Sequence, residues 1–445
     1  MSQIRWINLV INQPSLNFDE TLTYQRSPFC YFVFSYQEYD VYFHALLYRL
    51  ILVPNQHTHP MIGLVEAGLF STHDDIVESE RRLSSKEPSD NHVRLLMTDK
   101  CNLACTYCYG DAKTDGETLS FERIQALFND LAPDRSLNVE FHGNGEPTLA
   151  LPLIKETIVY LKERFNQLTL TIQTNGQFDD ETAKWLIDSP IHVAFSIDGP
   201  KTIQLAQRPD ATENAQSFET LIHNIEHFHQ AGKGFQAICT ITEYSLPQMD
   251  AIYSFLKSIG MKYFKINPLV KIGRATQSNN PIQNAPDSKT FAKQLALIAV
   301  KAYFDKILVD SDFLPSFHTK SAGCFRCGAC SPSIVLSPNG SVIACADASL
   351  ATTQENNPFI WGFCSIEKGL QVEPHRHDTL THRNVLGMPS CKACFLRYHC
   401  SGACLIENYL ETGTIETPSK KACGARQQFS ITYFKTLVEN LLRRS

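Results

Sequence analysis

Three cysteines stand within eight residues, Cys101, Cys105 and Cys108, at the spacing CxxxCxxC, with the aromatic Tyr107 before the last. Fe–S clusters are normally closed by four cysteines, so a compact set of three can hold three irons of a [4Fe–4S] cubane and leave the fourth open to another ligand. A zinc knuckle or three buried thiols are the plainer readings. No fourth ligand lies nearby, however, and structural zinc sites are almost always four-coordinate.

The rest of the composition narrows the setting. At 445 residues the chain exceeds the usual size of one hydrophobic core, so two or three units are expected. It carries fifteen cysteines, and Met1 to Leu16 lacks a signal-peptide apolar region because Arg5, Asn8 and Asn12 interrupt it. Thiols in that number without an export signal imply a reducing compartment, where they serve as metal ligands rather than disulfides. A cytoplasmic location is therefore expected. The longest apolar stretch, near His44 to Val53, is short and broken by Arg49, so no membrane span is expected. The formal net charge of −6 offers no basic field for nucleic acid.

Three regions are expected along the chain. Residues 1–90 hold no chemical motif. The alternating aromatics of Tyr31-Phe32-Val33-Phe34 predict a strand, Met61 to Leu69 a short helix, and the charged, serine-rich stretch from Glu78 to Asp90 a linker. This reads as an accessory region, either a platform for the substrate or a cap over the neighbouring barrel. Residues 91–310 are repetitive. Apolar alternation predicts strands at Val93-Leu95-Met97, Leu137-Val139-Phe141, Leu168-Leu170-Ile172, Val193-Phe195-Ile197, Ala237 to Ile241 and Tyr263 to Ile266. Helical patterns lie between them, such as Ile124, Leu127, Phe128, Leu131 and Ile154, Ile158, Leu161, Phe165. Strands alternating with helices imply a parallel α/β sheet, and six units are too few for a closed eight-stranded barrel. In parallel folds chemistry sits at the C-terminal ends of the strands. Residues 271 to about 320 form a bridge of loop and helix. Residues 311–445 are cysteine-rich, as expected of a small region held together by metal.

The run Cys101-Asn102-Leu103-Ala104-Cys105-Thr106-Tyr107-Cys108-Tyr109 resembles the signature of radical S-adenosylmethionine (SAM) enzymes. The resemblance implies that the open iron binds SAM, that reduction cleaves SAM to a 5′-deoxyadenosyl radical, and that the radical abstracts hydrogen from carbon. It also implies a partial (β/α)6 barrel and a reductant partner such as flavodoxin or ferredoxin. Phe141-His142-Gly143-Asn144-Gly145-Glu146-Pro147, 33 residues beyond the cysteines, resembles the family's Gly-Gly-Glu-Pro motif with Asn144 in place of the first glycine. There Gly145 permits close approach to a ligand, and Glu146 can accept a hydrogen bond from the SAM ammonium. Gln173-Thr174-Asn175-Gly176 is similar to a polar turn near the cofactor. Ser196-Ile197-Asp198-Gly199-Pro200 resembles the segment that carries SAM-contacting polar groups, which implies roles for Asn175, Ser196 and Asp198. Arg208, twelve residues beyond Ser196, has the family spacing for the arginine that meets the SAM carboxylate, a geometry its fork suits. Leu269 and Tyr107 match positions near adenine.

A second signal lies downstream. Cys391-x2-Cys394-x5-Cys400-x3-Cys404 is followed by Cys423, and Cys330-x9-Gly340-x4-Cys345 precedes it. Together they resemble the SPASM domain of peptide-modifying radical SAM enzymes, which implies two auxiliary [4Fe–4S] clusters and three in all. The first would use Cys324, Cys330, Cys345 and Cys404, with Cys327 as the alternative to Cys324. The second would use Cys391, Cys394, Cys400 and Cys423. A zinc ribbon is the rival reading for Cys391 to Cys404. Cys30, Cys239 and Cys364 are isolated and expected to be buried as small apolar groups, and His375, His377 and His399 to be solvated or packed rather than ligating. The expected activity is that of a radical SAM oxidoreductase maturing a ribosomally made precursor peptide or small protein. The alternative is an anaerobic sulfatase maturase, converting Cys or Ser to formylglycine. In that relative an aspartate serving as base directly follows the cysteine equivalent to Cys345. Here Ala346 stands there and Asp347 comes one residue later, which in an extended segment would point it to the opposite face.

Overall fold

The computed structural model describes residues 4–9, 16–55, 58–85, 91–212, 216–277, 280–313, 322–331, 333–349 and 357–444. Near the N-terminus β1 (Arg5–Asn8), β3 (Cys30–Tyr36), β4 (Tyr39–His44) and β5 (Arg49–Pro54) form an antiparallel sheet in the order β1-β5-β4-β3. A separate pair joins β2 (Tyr24–Arg26) to β6 (Phe70–Thr72). The expected strand at Tyr31 to Phe34 lies in β3, and the expected short helix is α1 (Met61–Ala67). The linker reading is corrected up to Ser85, because α2 (His73–Ser85) runs through Glu78. Ile76 and Leu83 are buried on one face of α2, and Glu78 pairs with Arg81 and Arg82 one turn on. Charge there marks the solvent face of an amphipathic helix. Residues 86–90 lie outside the described residues.

All six expected parallel strands form: β7 (His92–Leu96), β8 (Leu137–His142), β9 (Leu168–Thr174), β10 (His192–Ser196), β11 (Phe235–Ile241) and β12 (Tyr263–Pro268). They lie side by side in sequence order with α3 (Phe121–Asn129), α4 (Leu151–Arg164), α5 (Asp180–Asp188), α6 (Lys201–Gln207), α7 (Ser217–Gln230) and α8 (Met249–Ser258) between them. This is the sequential (β/α)6 arrangement. Ser120 and Asp179 cap α3 and α5, accepting from the backbone N–H of Arg123 and Thr182. Ile124, Leu127 and Phe128 of α3 and Ile154, Ile158 and Leu161 of α4 are buried, as their spacing predicts.

The count of six parallel strands is corrected. After α9 (Ser288–Asp305) a seventh, β13 (Leu308–Asp310), pairs parallel to β12. Three residues are too few for alternation to reveal. At the opposite edge β14 (Ile334–Leu336) pairs parallel to β7, and β15 (Ser341–Ile343), β16 (Ile360–Ser365) and β17 (Gly369–Val372) continue antiparallel, giving eleven strands in one sheet. The cysteine-rich region thus shares a sheet with the barrel. Its helices are α10 (Pro374–Thr381), α11 (Arg397–Cys400), α12 (Leu405–Thr412) and α13 (Lys420–Arg444), the last packed along α9.

The N-terminal sheet is seated on this C-terminal region. Phe43 meets Phe434 at 4.9 Å between ring centroids, and a ring nitrogen of buried His399 lies 2.8 Å from the Ala45 carbonyl oxygen. His399 has the packing role expected of it. Cys30, Cys239 and Cys364 are buried, also as expected. Among the described residues no helix is long and apolar enough to cross a membrane.

Candidate functional site

The six strands sort their side chains by alternation. Leu95, Phe141, Phe195 and Phe264 are fully buried in a core shared with the helices. The opposite set supplies a polar group from every strand to a cavity of about 600 Å³: Arg94, Glu140, Gln173, Ser196, Thr240 and Lys265. The polar alternates leave the inside of the partial barrel open where apolar ones would fill it.

Cys101, Cys105 and Cys108 all line this cavity, on the loop after β7. The loop is held from several sides. Ala104 and Thr106 donate backbone N–H to the carbonyls of Pro209 and Gln207, at 2.8 and 2.9 Å. Gly145 and Glu146 donate to the carbonyls of Thr98 and Lys100, at 2.9 and 2.8 Å. A Cβ on Gly145 would stand 1.9 Å from the Lys100 carbonyl oxygen, so glycine is required there for one loop to lie against the other. Arg274 completes the hold: it donates to the carbonyls of Cys105 at 2.7 Å and Ala112 at 2.5 Å, and its Nε lies 3.1 Å from Asp111 Oδ1. Nothing in the local sequence around Arg274 signals that role.

Glu146 ties three loop segments together. Its Oε1 accepts from Thr148 Oγ1 and Thr174 Oγ1, each at 2.7 Å, and its Oε2 from the Asn175 N–H at 2.7 Å. Burial still raises its carboxyl above the ordinary range. Asn175 Nδ2 donates to Asn102 Oδ1 at 2.8 Å and lies 3.9 Å from Cys101 Sγ. Asp198 is wholly buried behind the cavity wall. Tyr107 donates its hydroxyl to Asp198 Oδ2 at 2.5 Å, Gln207 Nε2 donates to the same oxygen at 2.7 Å, and Arg208 Nε does so at 3.0 Å. Asp198 thus acts through Tyr107 and Arg208, both of which line the cavity. Tyr107, Leu269 and Ala275 form a small apolar cluster of their own. Ser196 Oγ lies 3.5 Å from Gln173 Nε2.

The same cavity is lined by Arg94, Glu140, Glu407 and Arg426, which no sequence motif marked, beside Cys404 and Asp347, which the sequence singled out. Arg94 donates through Nη2 and Nε to Glu140 Oε2, at 2.8 and 2.9 Å. Burial opposes charge on Glu140, yet the Arg94 guanidinium holds its carboxyl well below the usual carboxylate range. Asp347, Cys404, Glu407 and Arg426 come from the C-terminal region to the same cavity. Asp347 sits in a single 3-10 turn, Ala346–Ala348, not in an extended segment, so the shift relative to the sulfatase relative does not remove it from the cavity. Burial raises its carboxyl above the ordinary range.

The remaining cysteines gather nearby. Cys327 stands beside Cys330 and lowers the Cys330 thiol below its ordinary range. Cys327 is also an electrostatic neighbour of Cys345 and Cys404. Cys324 departs from the sequence preference: it is buried, and its thiol donates to the Leu83 carbonyl of α2 at 3.3 Å. Cys327, the alternative to Cys324, is thus the electrostatic neighbour of Cys330, Cys345 and Cys404. Cys391, Cys394, Cys400 and Cys423 form the other neighbourhood. Between Cys400 and Cys404 the chain runs through three consecutive left-handed residues, Ser401, Gly402 and Ala403, at φ of 47°, 80° and 67°. Buried Arg383 donates to all three of their carbonyls, at 2.7, 2.5 and 3.1 Å.

These donor sets suit iron–sulfur clusters. Burial pushes the Cys101 and Cys105 thiols up to about 12 and about 11, so a cationic partner is needed for them to ionise, and a coordinated metal deprotonates thiols outright. Arg426 is 1% exposed, and its Nη1 has no hydrogen-bond partner among the described residues, although Cys400 and Cys404 are its electrostatic neighbours. Sulfur acceptors would answer that buried donor. Among the described residues one further group of potential metal ligands converges, Asp180 with His223 and His227 at the surface. It lies outside the cavity.

Comparison with known proteins agrees with this geometry. Residues 95–256 match the Radical SAM superfamily. The chain is 26% identical over 267 residues to a cysteine-type anaerobic sulfatase-maturating enzyme of Clostridium novyi, covering 56% of this chain and 71% of that one. It is 22% identical over 324 residues to a serine-type enzyme of Klebsiella aerogenes, covering 68% and 76%. In structure it is similar to native anSMEcpe with bound AdoMet, at a TM-score of 0.61 and 20% identity, covering 80% of this chain and all of that one. It is also similar to Streptococcus suis SuiB bound to precursor peptide SuiA, at a TM-score of 0.52 and 15% identity, covering 90% and 100%. The chain is a radical SAM enzyme, related to the anaerobic sulfatase-maturating enzymes, and its cofactors are SAM and a [4Fe–4S] cluster.

Proposed function

We propose that this enzyme matures a ribosomally made precursor peptide or small protein, oxidising a side chain or Cα so that a cross-link or similar bond can close. One observation carries the reading: a single cavity is lined by Cys101, Cys105 and Cys108 together with Cys404 and Asp347. Cys101, Cys105 and Cys108 would hold the SAM-binding cluster. Cys327, Cys330, Cys345 and Cys404 would hold one auxiliary [4Fe–4S] cluster, and Cys391, Cys394, Cys400 and Cys423 a second. When bound, the first cluster with SAM supplies a 5′-deoxyadenosyl radical able to take hydrogen from carbon, and the auxiliary clusters supply an acceptor for the electron left on the substrate.

The side chains orient these partners. Arg208, held by Asp198, would meet the SAM carboxylate. Tyr107 and Leu269 give the adenine an apolar ledge, and Gly145, Asn175 and Ser196 line the polar part of the SAM site. Glu146 Oε2, which already accepts the Asn175 N–H, would take the ammonium as a second donor. Arg94 and Glu140, paired across neighbouring strands, give the cavity lining a polar pair whose charges offset each other. Asp347 faces the cavity as the group able to take the proton released on oxidation. The peptide relatives lend support: anSMEcpe has been seen with a bound Cp18Cys peptide, and SuiB with its precursor.

Sulfatase maturation is the second reading, favoured by the curated relatives and by Asp347 reaching the cavity. Incubating the reconstituted enzyme with SAM, a reductant and either a sulfatase-derived Cys peptide or a candidate precursor peptide separates the two. Mass loss on the precursor, matched to 5′-deoxyadenosine released, supports peptide maturation. Formylglycine on the sulfatase peptide at that rate overturns it.

A further inference from the structure

Arg426 joins elements that carry two different cysteine sets. It lies one turn beyond Cys423 on α13, and its guanidinium pairs with Glu407, which lies one turn beyond Cys404 at the start of α12. Its Nε donates to the Phe313 carbonyl at 2.6 Å, and its Cζ stands 4.8 Å above the Phe313 ring. Cys400 and Cys423 of one set and Cys404 of the other are its electrostatic neighbours. Only 1% of the residue is exposed, and Nη1, still able to donate, has no partner among the described residues. A permanent cation this deeply buried, with one N–H group unspent and only one carboxylate pairing it, is costly unless negative charge lies on its other side.

We propose that Arg426 is a positioning residue that sets the reduction potentials of both auxiliary clusters, donating Nη1 to sulfur and placing one positive charge between them. This rests on reading the two four-cysteine sets as clusters. Cluster potentials respond to nearby charge and to hydrogen bonds to the sulfurs, and a reduced cluster carries one more negative charge than an oxidised one. A shared cation therefore stabilises both reduced forms and draws both potentials upward. Glu407 works in the opposite sense by partly neutralising that cation. The pair holds the two couples in a common range, in which an electron taken from the substrate at the cavity can pass outward from the Cys404 cluster to the Cys423 cluster.

The test is an EPR-monitored redox titration of the full-length, anaerobically reconstituted enzyme, using the signals that added SAM leaves unperturbed. Wild-type protein holding only about four irons defeats the cluster reading itself, before Arg426 is in question. With clusters present, Arg426→Gln should move both auxiliary potentials in the negative direction, Arg426→Lys should recover most of that shift, and Glu407→Gln should move the potentials in the positive direction. A purely structural role does not produce opposite signs from the two partners. Unchanged potentials in Arg426→Gln with iron retained overturn the proposal, as does a shift of the same sign in Arg426→Gln and Glu407→Gln. If Arg426→Gln loses auxiliary iron, Glu407→Gln decides: a positive shift supports the proposal, and an unchanged or negative one overturns it.

Discussion

Arg208 and Asp198 are joined by two hydrogen bonds, Nε to Oδ2 at 3.0 Å and Nη2 to Oδ1 at 3.3 Å, where the carboxylate is wholly buried. The arginine that we propose for the SAM carboxylate is thus also the counter-charge of a buried acid. Arg208→Ala should lower SAM affinity tenfold or more, as expected of a lost charge-assisted contact of about 1.5–3 kcal/mol. It should also destabilise the fold by about 3–5 kcal/mol, because Asp198 is left uncompensated. The double variant Arg208→Ala, Asp198→Asn should recover part of the stability and none of the affinity. Equilibrium dialysis and thermal melts read the two effects apart. Unchanged affinity would leave Arg208 only its structural role.

Cluster content gives the second prediction. Reconstituted enzyme should hold about twelve irons, from three four-iron clusters. Replacing Cys101, Cys105 and Cys108 together with Ala should remove about four and abolish SAM cleavage, as iron assay and 5′-deoxyadenosine release will show. Survival of both would sink the central assignment.

The turn between Cys400 and Cys404 is held chiefly by Arg383, which meets all three of its carbonyls, while Asn408 Nδ2 adds one bond to the Gly402 carbonyl at 2.8 Å. Left-handed backbone at a residue other than glycine costs about 1–3 kcal/mol and persists only where its surroundings enforce it. Arg383 does so here for Ser401 and Ala403. Arg383→Met should release the turn and cost the auxiliary iron, while iron bound through Cys101, Cys105 and Cys108 and SAM affinity remain. Retention of all iron would show that the cysteines themselves hold the turn.

Asp347 gives a prediction about chemistry. Asp347→Asn keeps the size and removes the base, so substrate turnover should fall by 100-fold or more, within the usual range of about 10²–10⁴ for general base catalysis. Uncoupled SAM cleavage should continue. Equal turnover in wild type and variant would assign proton removal to another group.

The N-terminal sheet carries a pH dependence. His44 accepts from the Leu47 N–H at Nδ1, 3.2 Å away, so Nε2 carries its proton, 3.3 Å from Ser27 Oγ. Burial, with Arg49 nearby, pushes His44 down to about 3. Between the ordinary histidine value and about pH 3 the unfolded chain takes up a proton that the folded one refuses. Stability should therefore fall as pH drops through that window, by about 1.4 kcal/mol per pH unit from this group. His44→Gln should start less stable at neutral pH and show a flatter decline on acidification. Parallel declines in melts against pH would refute the assignment.

Much of this was legible in the chain. The CxxxCxxC loop is local, and its three sulfurs are set by eight consecutive residues. The six parallel strands announced themselves by apolar alternation, and Glu146, Asn175 and Ser196 sit at strand ends where topology alone puts chemistry. The same alternation places Arg94, Glu140 and Lys265 on the faces turned away from the helices, although no motif singles them out. Arg274 clamping the cysteine loop, Arg383 clamping the Cys400–Cys404 turn, and Arg426 reaching from α13 to α12 carried no such mark. An arginine reads alike on a solvated surface and in a buried site, and its partners in each case come from distant parts of the chain. Gly145 illustrates the division. Its lack of a side chain was plain, but that the space is taken by the Lys100 carbonyl became decidable only when two loops 45 residues apart met. Spacing along the chain determined which groups could share a centre. Which side chains are buried against them, and so which charges must be answered, was decided by long-range packing that excludes water, because only there does an unpaired charge or donor carry a large cost.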